Sequence, residues 1–153
     1  MSWQRLAEEA PDIAELARSE FARAGMALIG TLSRDGSPRI SCVYPCLFDD
    51  ALLLGMMWNS RKAIDLLRDP RFVLHNAISS NRGDEVEVVL RGTAIDVQDG
   101  ETRSAYLAAV PEWSDRRFHL FAMKLAAAAV VRYEAGEQYV KVWPRGVEFR
   151  RRY

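Results

Sequence analysis

Ser60, Arg61 and Lys62 place a hydroxyl and two cations directly ahead of the stretch Ala63-Ile64-Asp65-Leu66-Leu67-Arg68. The spacing of Ile64 and Leu67 predicts a helix with Ser60 as N-cap and Pro70 as its stop. A helix N-terminus carries unpaired backbone N–H groups and a partial positive charge, which suits an anion. Arg61 adds a planar fork of donors and Lys62 a compact charge, and together they can neutralise a phosphate dianion. Cations there oppose the macrodipole, so the pair costs some stability unless an anion sits among them. The plain alternative is a solvated surface pair.

Other chemistry is sparse. Cys42 and Cys46 lack zinc spacing and a second pair, so two buried thiols in a reducing cytoplasm are expected. His75 and His119 belong to no metal-ligand pattern and read as structural or surface residues. Neither a Gly-x-Ser-x-Gly elbow nor a Gly-x-Gly-x-x-Gly fingerprint occurs. With 21 basic and 21 acidic residues the net charge is zero, so no global field favours nucleic acid or a membrane surface. Any anion must be held by a local cluster. The first ten residues lack the apolar run of a signal peptide, and Leu125 to Val131 is too short to span a bilayer. A soluble, cytoplasmic protein is expected.

The elements that must position the cluster are mostly extended. The 153 residues fit one domain, with an N-terminal helix over 11–24 started by Pro11 and stopped by Gly25. Met26 to Ser33 and Pro38 to Phe48 read as strands around the hairpin signal Asp35-Gly36. A turn at Asp49-Asp50 leads to a third strand, Ala51 to Trp58, and the three form a meander. Arg71 to Ser80 and Glu85 to Gln98 are further strands; Val86, Val88 and Leu90 mark the apolar face of the second. Gly100 to Val110 reads as a helix, followed by an irregular connection from Pro111-Glu112-Trp113. Phe118 to Val131 is ambiguous, because its alanines favour a helix while Val130, Val131 and Tyr133 favour a strand. Gln138 to Trp143 is a strand, and Arg150 to Arg152 reads as a solvated tail. About six antiparallel strands with short helices predict a mainly β (α+β) domain, a barrel.

Four segments in order resemble the pyridoxamine 5′-phosphate oxidase family. They are Asp35 to Ser41, Asn59 to Ala63 with Asp69-Pro70-Arg71-Phe72-Val73, Leu90-Arg91-Gly92-Thr93-Ala94, and Tyr139 to Gly146. The resemblance implies a six-stranded split β-barrel that binds FMN as a homodimer, with the flavin at the interface. It implies that Arg39, Arg61 and Lys62 hold the FMN phosphate beside Ser60. Ile40, Ser41 and Cys42 would line the isoalloxazine edge, and Met56, Met57 and Trp58 would pass along the cofactor. Trp58, Trp113 and Trp143 are candidates for stacking, or simply core residues. The implied function is a flavin-dependent oxidoreductase. A reductase using the deazaflavin coenzyme and a non-catalytic flavin store or sensor are the alternatives. There are two departures from the family's pattern: the first means that Glu87 turns away from the flavin or that the ring environment differs, and the second points away from pyridoxamine 5′-phosphate as substrate. Glu87 stands where the oxidases carry an amide, and the C-terminal arginine–histidine motif has no match in Phe149 to Tyr153. The apolar run Leu52-Leu53-Leu54, which one core cannot hide, also predicts a dimer.

Overall fold

The structure is a computed structural model that describes residues 2–48, 50–78 and 80–152. Asp49, in the expected Asp49-Asp50 turn, and Ser79, in the expected 71–80 strand, lie outside the described residues. Ser2 caps a helix that sequence reading missed, α1 (Trp3–Glu9), whose Trp3 and Leu6 enter the core. Next comes α2 (Pro11–Ala24), with Pro11 in its first turn and Gly25 at its end as expected.

The chain then forms β1 (Ala27–Leu32) and turns through Asp35-Gly36 into β2 (Pro38–Val43). Gly36 has a φ of 84°, a value that a side chain would penalise. The stretch expected to run unbroken to Phe48 is interrupted at Tyr44. β2 pairs with β1, whereas β3 (Pro45–Leu47) pairs with β4 (Leu52–Met57). Pro45 has no N–H to continue the ladder with β1. β4 leans on β7 (Phe118–Glu134), far from β2 in pairing order, so the expected meander is a barrel seam instead.

The other strands are β5 (Arg71–Asn76), β6 (Val86–Asp96), β8 (Glu137–Trp143) and β9 (Val147–Arg152). All pairings are antiparallel, in the order β2-β1-β5-β6-β7-β4-β3. Because β3 resumes β2 after one residue, this order closes into a barrel of six walls, as expected. Helix α3 (Arg61–Arg68) links β4 to β5, and α4 (Gly100–Ala109) with a 3-10 turn (Pro111–Trp113) links β6 to β7.

The ambiguous segment is strand throughout. Along β7, Met123, Leu125, Ala128 and Val130 are buried, and β4, β6 and β8 all pair with it. Backbone pairing with three neighbours outweighs the helix preference of four alanines. The expected tail is also a strand: β9 pairs with β8, and Arg150 and Arg152 reach Glu137. Leu52, Leu53 and Leu54 are all buried within one chain, contrary to the reading that one core could not hide them. Two clusters share them. Leu52 and Leu54 face the barrel core, while Leu53 packs with Val97, Tyr106, Phe118 and Leu120 under α4. Among the described residues no helix is long and apolar enough to cross a membrane.

Candidate functional site

α3 begins where β4 ends, and the turn between them is sharp. Asn59 adopts a φ of 55°, a left-handed conformation that asparagine tolerates better than most residues. Ser60 then stands at the N-cap, but its hydroxyl makes no capping bond. That Oγ is buried and has no hydrogen-bond partner among the described residues. Arg61 and Lys62 follow, and neither forms an ion pair or side-chain hydrogen bond with a described residue. Two free cations and an orphaned hydroxyl thus share the first turn of an eight-residue helix. A phosphate oxygen would satisfy all three together with the free backbone N–H groups.

Lys62 faces a cavity of about 680 Å³. One wall is the joint between β2 and β3, from Cys42 to Cys46, and another is Gly55 and Met57 of β4. The far wall is Tyr106, Val110, Trp113 and Arg116 from α4 and the turn after it. Gly55 permits this closeness, since a Cβ there would lie 2.2 Å from the Tyr106 hydroxyl. Burial pushes the Tyr106 phenol up to about 12, so it stays protonated.

Among the ten residues singled out from sequence, Cys42, Met57 and Lys62 line this cavity. Ile40 is 74% exposed on the outer face of β2, next to the less exposed Ser41. Met56 is 1% exposed, so its side chain belongs to the core and has no surface to offer a ligand. Arg39 is engaged already: its Nε donates to Asp65 Oδ2 at 2.7 Å and its Nη2 to Ser33 Oγ at 2.9 Å. Trp58 is held between the Arg117 guanidinium, 4.0 Å from its ring centroid, and the His119 imidazole, stacked at 4.3 Å. Cys42 is exposed rather than buried, because Val43 takes the inward position on β2. Trp143 is buried and donates to Glu9, which removes it from the stacking candidates. Glu87 accepts a hydrogen bond from Tyr133 at 3.3 Å and lies 3.9 Å from His75.

Asp65 is the one carboxylate on α3, and its charge is covered. Burial raises its pKa, but hydrogen bonds from Arg39, Thr31 and Arg68 outweigh this and hold it below the usual carboxylate range. With Asp65 so paired, the field at the helix start stays positive. Sequence reading missed Tyr106, Arg116 and Cys46 as cavity residues. Trp113, named only for possible stacking, was the single sign of the α4 wall.

Solved structures share this fold. A haem-binding protein from Mycobacterium smegmatis matches with a TM-score of 0.68 and 23% identity, over 84% of this chain and 57% of its own. A pyridoxamine 5′-phosphate oxidase-like protein from Listeria innocua matches with a TM-score of 0.61 and 10% identity, over 74% and 94%. The haem storage protein HutZ from Vibrio cholerae gives 0.57 and 13%, over 92% and 94%. The chain has the pyridoxamine 5′-phosphate oxidase-like split-barrel fold. At these identities the split barrel is what the proteins share, and this chain spans little more than half of the mycobacterial protein's length. No protein-family model and no curated protein sequence matches it.

Proposed function

We propose that this split barrel is an FMN-binding oxidoreductase that works as a homodimer. The observation that carries the reading is the first turn of α3. Arg61 and Lys62 stand there without counter-charge beside a buried, unpartnered Ser60 hydroxyl. Such a set is destabilising without an anion and well matched to a phosphate dianion.

The chain's own residues would then divide the work. Arg61, Lys62 and the α3 backbone hold the phosphate, and Arg39 holds α3 in place through Asp65. Met57, Cys42 and Tyr44 bound the space for the ring, and Tyr106 with Gly55 closes its floor against water. Bound there, FMN would supply the two-electron chemistry. Large apolar residues remain exposed at Ile40, Tyr44, Met57, Trp58, Ile64 and Leu67, on β2, its joint, the end of β4 and α3. A surface of that kind fits a second copy of the chain.

Haem is the second reading: neither histidine lines the cavity, so its iron would have to take Cys42, Cys46, Tyr44 or Met57 as ligand, and the phosphate seat at α3 would go unused. His119 is 7% exposed beneath Trp58, and His75 Nδ1 lies 2.7 Å from the Asn76 carbonyl. A deazaflavin coenzyme or a flavin store would use the same phosphate seat. The absorption spectrum of the co-purifying chromophore tests the reading, with FMN bands expected. A blue-shifted band would assign the deazaflavin coenzyme, and a Soret band would overturn the flavin assignment. Anaerobic reduction followed by air separates an oxidase from a store.

A further inference from the structure

The cavity lining carries charged groups besides Lys62, on the wall formed by α4 and the turn after it. Arg116 is one and makes no ion pair or side-chain hydrogen bond among the described residues. Glu112, four residues earlier, is another and is equally unpaired. Trp113 stands between them in sequence, fixed edge-on against Phe118 at 5.4 Å and 88°. Tyr106 is 3% exposed and contributes a neutral phenol on the same wall.

We propose that the wall carrying Arg116 is the substrate seat and that it takes a planar aromatic monocarboxylate. The proposal rests on the reading that Arg61 and Lys62 are used by the cofactor phosphate. A single guanidinium matches one carboxylate through two parallel N–H···O bonds. Glu112 sets the charge limit: a dianion beside it would have one cation to share against one carboxylate. Trp113, only partly buried, offers a flat apolar face, which favours a ring over an alkyl chain. The cavity volume lies in the range that holds a cofactor ring or drug-sized molecule.

The test is calorimetric titration of benzoate and phenyl phosphate into the full chain, with and without FMN. In the FMN-loaded chain benzoate is expected to bind more tightly than phenyl phosphate, which without FMN would take the vacant phosphate seat. Arg116→Ala is expected to weaken benzoate at least tenfold while moving FMN affinity less than twofold, and Arg116→Lys to fall between. Trp113→Leu is expected to weaken benzoate as well. Benzoate binding that ignores Arg116→Ala, absence of benzoate binding, or a preference of the FMN-loaded chain for phenyl phosphate would each overturn the proposal. Failure of FMN to bind would instead sink the cofactor reading, and benzoate titration of the flavin-free chain would still decide the substrate seat.

Discussion

Arg39 and Asp65 meet at 2.7 Å between β2 and α3, and through this contact the barrel wall sets the position of the helix that carries Arg61 and Lys62. Thr31 on β1 and Arg68 one turn along α3 complete the shell around the same carboxylate. Arg68 also reaches the Leu32 carbonyl. The Asp65 side chain is 5% exposed and each arginine about a third, so the carboxylate is the buried member of the set.

Asp65→Asn should therefore destabilise the fold by about 1.5–3 kcal/mol, the range for hydrogen bonds to charged groups. The loss stays below that of a fully buried ion pair because both arginines can turn to solvent. Urea denaturation followed by far-ultraviolet dichroism measures it. An unchanged midpoint would show that the three donors add nothing to α3 docking.

Acid should weaken the protein through the same group. Asp65 has a folded pKa below its ordinary value of 3.8. Its stabilisation is complete above that value and is lost as pH falls through the depressed folded one. The wild type should lose stability faster than Asp65→Asn below about pH 4. Parallel curves of unfolding free energy against pH would contradict this.

At the phosphate seat, Arg61→Ala and Lys62→Ala should each weaken FMN by about 1.5–3 kcal/mol, roughly ten- to a hundredfold in Kd. Quenching of flavin fluorescence reads the affinity directly. If both variants bind as tightly as the wild type, the two cations are ordinary surface charges.

In solution the chain should be a dimer at low micromolar concentration, and Ile40→Asp should break it. Ile40 is the most exposed of the large apolar residues and lies on β2 beside the cavity joint. A charge placed there would have to be desolvated in any interface built on that face. Sedimentation velocity distinguishes the outcomes, and a wild-type monomer that binds FMN tightly would remove the need for a partner.

Pyridoxamine 5′-phosphate should not be turned over at a useful rate. Its phosphate dianion needs a second cationic cluster, and besides Lys62 the described residues of the cavity lining offer one cation, Arg116, with Glu112 on the same wall. Half-pairing that dianion costs several kcal/mol, or a few powers of ten in affinity. An assay for pyridoxal 5′-phosphate or hydrogen peroxide settles it. Turnover near one per second, as an order-of-magnitude benchmark, would show that Arg116 suffices.

Local signals were legible where one residue decides the backbone. Pro11, Gly25 and Gly36 marked α2 and the first hairpin because each has a conformation that few other residues match. The start of α3 was legible for the same reason, through Ser60 and its two cations. What sequence alone could not supply was partnership across the chain. Nothing between Pro38 and Phe48 shows that β2 and β3 serve opposite ends of the pairing order. Ala127 to Ala129 lie in a strand only because neighbours hold them there. Arg39 looked like a free anion binder, and its link to Asp65 depends on the packing of a helix 26 residues away. α4 is amphipathic only weakly, so its role as the far wall of the cavity had no local sign.

The seam between β4 and β7 bears on how the chain comes into being. Leu52 to Met56 is a continuously buried run whose outer hydrogen-bonding edge is satisfied by Phe118 to Ala122. A nascent chain leaving the ribosome has made β4 long before β7 exists, so that edge stays bare while most of the protein is synthesised. Bare apolar edges are the surfaces from which aggregates grow, and a barrel dominated by distant pairings folds slowly. Chaperone assistance during expression is therefore expected for a ring closed by its last long strand, and a soluble yield that ignores added chaperone would contradict it.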